Sequence, residues 1–165
     1  MFPLGHAAFG YLVSVVLAWS NDVRSPDGPR LAALLVGTQF PDLVDKQLGY
    51  LRMTNNGRTG LHSVFVALPL VVALRRVDVL PNDVVDAFAV GYASHLVGDV
   101  LRPISERQWR GLQFLFWPLV RGRRLPRAHI APWTRVLAHY RQRPSGPALG
   151  LVVTAVVVWA RRRSR

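Results

Sequence analysis

The clustering of apolar residues constrains this chain more than any other feature of its sequence. They fall in blocks at 4–19, 31–40, 61–74, 84–101, 112–120 and 147–160, separated by short polar stretches. Several blocks are shorter than the ~20 residues that cross a bilayer unaided, so tilt or neighbouring helices must make up the difference. Half the residues are hydrophobic and the mean hydropathy is +0.20. The pattern predicts an all-α fold, a multi-helix integral membrane bundle of about four to six helices, multi-pass in the cell membrane. The start, Met1-Phe2-Pro3-Leu4-Gly5-His6, has no basic n-region and no small-residue cleavage site, so 4–19 reads as a retained helix.

Turn chemistry sets the expected boundaries. Pro29 precedes a second helix, Arg30–Phe40, which Pro41 is expected to end because its ring opposes a helical preceding residue. Residues 42–60 read as polar and irregular. A third helix is expected from Leu61 to Leu74 with a kink at Pro69, capped by Thr59 or Ser63. A fourth runs from a cap at 81–83 to Leu101, with Pro103 as its stop. The chain divides into a membrane-embedded domain at 1–120, an Arg-rich connector at 121–146, and a hydrophobic helix with a basic tail at 147–165.

The net charge of +12 is almost all arginine. Seven Arg and no acid lie between Arg121 and Arg143, and four more close the chain from Arg161. Both runs flank apolar segments, which points to membrane lipids and their anionic headgroups as partners. Nucleic acid is the weaker reading, since no DNA- or RNA-reading motif accompanies the charge. There is no cysteine, which excludes disulfides and Cys-based zinc sites.

Ionisable residues inside apolar segments are costly and mark function. Here they are of one chemical kind: His6, Asp42, His62, His95 and Asp99. His95 and Asp99, four apart, face one side of a helix at about 6 Å between Cβ atoms. With His62 and Asp42 they offer two nitrogens and two oxygens, a set suited to a divalent metal, zinc first, with manganese or iron as alternatives. The competing reading of His95 and Asp99 is a buried ion pair that fixes helix packing. His6 is either a further ligand or an interfacial histidine. Asp45 could orient a ligand imidazole, cap a turn, or pair with Lys46. Arg58 could bind a phosphate or carboxylate as a fork donor, or lie on the surface. His129 and His139 read as solvent or interface residues, and the aromatics Phe114, Phe116, Trp117 and Trp133 as packing in the bundle or standing at headgroup level.

Five stretches, in order, resemble the YdjM-type family of membrane-bound metal-dependent hydrolases, and most closely its halophilic archaeal branch. They are Gly5-His6-Ala7-Ala8-Phe9-Gly10-Tyr11-Leu12, the run from Gly37 to Lys46 around Phe40-Pro41-Asp42, Gly57-Arg58-Thr59-Gly60-Leu61-His62-Ser63, Gly91-Tyr92-Ala93-Ser94-His95-Leu96-Val97-Gly98-Asp99, and Phe114-Leu115-Phe116-Trp117-Pro118-Leu119. The resemblance covers roughly residues 1–120. The order of His, Asp, His and then His-x-x-x-Asp also looks like part of the zinc-dependent phospholipase C pattern. The resemblance implies one metal held by Asp42, His62, His95 and Asp99, and a second by His6 with a shared Asp99. It implies hydrolysis of a phosphate ester or other lipid-like ester by a metal-activated water, with Arg58 stabilising the developing charge and Asp45 or Asp99 accepting a proton. The competing functions are a non-enzymatic membrane scaffold or regulator with a structural metal or ion-pair cluster, and an ion or proton transporter.

Overall fold

The structure, a computed structural model, describes residues 2–23, 25–51, 53, 58, 60–120 and 146–164. Among these the regular secondary structure is all helix. The chain forms α1 (Pro3–Ser20), α2 (Gly28–Tyr50), α3 (Val64–Val77), α4 (Asn82–Ser105), a 3-10 helix at Trp109–Phe116, and α5 (Gly146–Arg163). Residues 121–145 of the Arg-rich connector, with His129, Trp133 and His139, lie outside the described residues, as does Thr59.

Two expected boundaries are corrected. Helix α2 does not stop at Pro41 but runs nine residues past it, with Pro41 inside. Proline in a helix interior removes one bond to the carbonyl four residues back and crowds that residue. Here the residue four back is Gly37, which has no side chain to add to the crowding. Helix α4 likewise carries Pro103 in its last turn and ends at Ser105. A third difference is that α3 begins at Val64, so His62 stands in the turn before it. Ser63 is the N-cap and accepts a hydrogen bond from the Phe65 amide at 3.1 Å.

The centre of the bundle is α2 against α4, with α1 packed across both, α5 on the outside of α1, and α3 beside α4. Contacts rise together along α2 and α4, from Leu34 with Gly91 to Thr38 with His95, so these two helices run parallel. Helix α1 runs opposite to them: Gln39 Nε2 donates to the Pro3 carbonyl at 3.0 Å, and His6 meets Asp99. The start of α1 therefore shares one end of the bundle with the ends of α2 and α4.

Glycine makes the α2–α4 contact a backbone contact. A Cβ on Gly37 would stand 2.3 Å from the Phe88 carbonyl oxygen, and one on Gly91 would stand 2.1 Å from that of Leu34. Small residues of this kind let helices approach in a lipid environment, where association cannot draw on expelling water. Burial is correspondingly inverted. His6, Thr38, Asp45, His62 and His95 are fully buried, whereas Leu68, Val72, Val153 and Val156 face outward. Helices α1 and α4 are long and apolar enough to cross a membrane.

Candidate metal centre

The close approach of α2 and α4 sets the site. It brings the Thr38 carbonyl within 2.6 Å of His95 Nδ1. A carbonyl oxygen can only accept, so Nδ1 carries the proton and Nε2 is left with a lone pair. The proline three residues on interrupts the helix ladder next to this carbonyl.

His62 is held by a different device with the same result. Asp45 on α2 is fully buried and reaches into the turn before α3. Its Oδ1 accepts from the Leu61 amide at 3.0 Å. Its Oδ2 accepts from the His62 amide at 3.0 Å and from His62 Nδ1 at 2.8 Å. Gly60 permits this cradle: its φ is +82°, and a Cβ there would stand 3.0 Å from Asp45 Oδ1. Tyr92 Oη donates to the Leu61 carbonyl and ties the turn to α4. With Nδ1 donating to the carboxylate, the His62 lone pair is also on Nε2.

The two Nε2 atoms face each other across 3.2 Å. Two carboxylates close the group. Asp42 Oδ1 lies 3.3 Å from His62 Nε2 and 3.9 Å from His95 Nε2. Asp99 Oδ2 lies 3.5 Å and 3.9 Å from the same atoms. Metal–ligand bonds of about 2.0–2.2 Å in a tetrahedron separate the ligand atoms by roughly 3.3–3.6 Å. The separations of 3.2, 3.3 and 3.5 Å lie close to that spacing, and the two of 3.9 Å to His95 Nε2 exceed it.

His6 adds a fifth side chain. Its ring stacks on that of His95, with centroids 4.0 Å apart. Among the described residues neither of its buried nitrogens has a hydrogen-bond partner, and Nε2 stands 3.4 Å from Asp99 Oδ1. Asp99 thus presents Oδ2 to the His62–His95 pair and Oδ1 to His6. Two overlapping trios, His6 with Asp42 and His95, and His62 with His95 and Asp99, have their ligand atoms within 4.8 Å of one another. Unsatisfied buried nitrogens are expensive, and a cation would relieve them.

Charge points the same way. Three carboxylates are buried here, Asp42, Asp45 and Asp99. Lys46 pairs with Asp42 Oδ2, and Arg58 Nη2 lies 3.4 Å from Asp99 Oδ1. With neutral imidazoles the group keeps a net negative charge, which is costly at this depth unless a further positive charge enters.

All seven residues singled out in the sequence, His6, Asp42, Asp45, Arg58, His62, His95 and Asp99, come together here. Sequence reasoning missed three others. Lys46 pairs with Asp42, four residues back on α2, and that spacing was a usable signal. Thr38 acts through its backbone carbonyl, for which no side-chain pattern exists. Tyr92 acts through a contact that bridges 31 positions.

The profile of the YdjM inner membrane protein family matches residues 1–165. The chain belongs to that family. It is a membrane protein, and the family match extends through the connector and α5, which carry no motif legible in the sequence. No curated protein and no solved structure matches the chain.

Proposed function

We propose that this YdjM-family protein is a multi-pass, membrane-bound metal-dependent hydrolase that cleaves a phosphate ester or another lipid-like ester. The observation that carries the reading is the pair of Nε2 lone pairs, His62 and His95, facing each other across 3.2 Å between two carboxylates. Lone pairs so placed repel unless a cation or a proton lies between them. Asp42, His62, His95 and Asp99 would hold one cation, zinc first, and His6 with Asp99 Oδ1 would serve a second. A divalent cation there supplies Lewis acidity and lowers the pKa of water bound to it.

The remaining work falls to the chain's own groups. Asp45 and the Thr38 carbonyl fix the tautomers and ring planes of His62 and His95. Lys46 occupies Asp42 Oδ2 and so turns Oδ1 toward the histidines. Arg58, beside Asp99 and 5.8 Å from the Phe114 ring centroid, would neutralise charge developing on the ester. With only the first cation bound, Asp99 Oδ1 would accept the proton of the attacking water. The ligand pattern, similar in part to zinc-dependent phospholipase C, supports the choice of a phosphoester.

One observation favours a second reading. All four ligand-type side chains of the central group are buried, as in closed structural metal sites. A structural metal in a non-enzymatic membrane scaffold would have the same donors.

Metal content of detergent-purified protein, measured by elemental mass spectrometry beside phosphodiester turnover, tests the proposal. One or two equivalents of metal in wild type are expected, with metal and turnover both lost in Asp42→Asn and His95→Ala. Wild type that takes up no metal on titration overturns the proposal. Stoichiometric metal without turnover on any ester selects the scaffold.

A further inference from the structure

A cavity of about 580 Å³ opens beside the metal-type cluster, lined by Arg58, Asp99, Arg102, Glu106, Gln108 and Gly111 among others. It reaches the cluster through Asp99, one of its lining residues, whose carboxylate faces His6 and His62. Arg58 lies on the same wall. Arg102 Nε donates to Glu106 at 2.7 Å across one helical turn, which sets an exposed guanidinium beside the opening. Two guanidinium groups, one amide and two carboxylates, Asp99 and Glu106, line the wall and offer both donors and acceptors to an anionic group that also carries hydroxyls.

Position in the bundle narrows the ligand. Asp99 lies six residues before the end of α4, and His6 three residues after the start of α1. At 1.5 Å per residue, both sit within about 10 Å of that end of the bundle. The interfacial layer on each side of a ~30 Å hydrocarbon core occupies roughly this depth. The 3-10 helix that supplies Gly111 exposes Trp109 and Phe116, and Leu119 follows, with Arg107 and Arg110 also exposed alongside. Exposed aromatics with neighbouring arginines are the signature of a segment at headgroup level. The mouth of the cavity is thus where phosphates of lipids stand.

We infer that this cavity is a headgroup pocket: it takes the phosphate-bearing headgroup of a membrane lipid, through Arg58 and Arg102, while the acyl chains stay in the bilayer. This rests on the hydrolase reading and deepens it by naming the substrate class. A soluble phosphate ester shares the recognised chemistry, and the test separates the two sources.

Full-length protein in nanodiscs of equal parts phosphatidic acid, phosphatidylcholine and diacylglycerol is released for native mass spectrometry, and the retained lipid is identified. Wild type is expected to retain one phosphatidic acid in preference to diacylglycerol. Losing a hydrogen-bonded charge contact should lower that preference about tenfold in Arg58→Gln and in Arg102→Gln. Arg161→Gln, on α5 at the opposite end of the bundle, is the control for general basic charge, and should retain the wild-type preference. Equal retention of diacylglycerol by wild type, or an equal loss in Arg161→Gln, overturns the inference. So does displacement of the lipid by equimolar glycerol phosphate, which assigns the pocket to a soluble ester. Because retention is read without turnover, a pocket that holds lipid but never hydrolyses it sinks the hydrolase reading alone. Hydrolysis of soluble esters without lipid retention sinks the pocket alone.

Discussion

The two halves of this bundle are held by opposite means. In the half containing Tyr11, Leu34 and Ala155, apolar side chains from α1, α2 and α5 pack against one another. In the other half, the same α1 and α2, now with α4, enclose histidines and aspartates, whose polar atoms are costly without partners. In lipid, apolar packing sets how close the helices come, and polar pairing sets their register. The first half therefore tolerates change that preserves volume. The second half tolerates change only where no donor or charge is lost.

The largest effect is expected where the two halves share a cause. Gly91 sits on the Leu34 carbonyl in the apolar half and, one turn on, sets the His95–Thr38 hydrogen bond in the polar half. Gly91→Leu should abolish both folding yield and metal binding, read by size-exclusion chromatography and elemental analysis of the membrane-extracted protein. A monodisperse Gly91→Leu protein with full metal content would show that the helix approach is not what builds the site.

Next, the halves should separate. Leu34→Ala removes a fully buried side chain from the apolar cluster and is expected to cost about 2–5 kcal/mol. Its thermal midpoint should fall while each folded molecule keeps its metal. The opposite signature is expected of Asp45→Asn. Its side chain keeps the volume, but one of its two acceptors becomes a donor, so it cannot satisfy both turn amides and His62 Nδ1 together. Loss of such an orienting partner weakens metal affinity by about 10- to 100-fold. Metal titration in detergent reads this directly, and wild-type affinity would mean that Asp45 serves the turn and not the imidazole.

The legibility of these halves in the sequence differed for the same physical reason. His95 and Asp99 were readable because both lie on one helix, where spacing alone puts them on one face. Asp42 was readable as a ligand type but was assigned to an irregular segment, because Pro41 is a local signal for a helix end. A tertiary contact overrides it: α2 is pinned along its length by α4, and Gly37, whose carbonyl loses the bond that proline cannot make, has no side chain to add to the crowding. The Lys46–Asp42 pair is legible by its spacing, with the adjacent Asp45 as a competing partner for the lysine. The Thr38 carbonyl and the Tyr92–Leu61 contact were not legible, since neither lies within one element. The membrane character was legible throughout, because composition and block length report burial in lipid without any tertiary knowledge.

The smallest expected effect sharpens the boundary between the halves. Ser63 follows His62 directly in the chain and is fully buried, so proximity alone would assign it to the site. Its hydroxyl turns the other way. It caps α3 through the Phe65 amide and donates toward the Trp117 carbonyl, joining α3 to the segment after the 3-10 helix. Ser63→Ala should therefore cost about 1–2 kcal/mol through the lost cap. Metal stoichiometry and affinity should stay at wild-type values, because Asp45 and the amides of Leu61 and His62 hold the imidazole without it. Ser63→Thr, which keeps the hydroxyl, should recover most of the thermal midpoint. If Ser63→Ala instead loses metal in proportion to stability, the turn before α3 is one unit with the cap, and the division between packing and site must be drawn on the far side of α3.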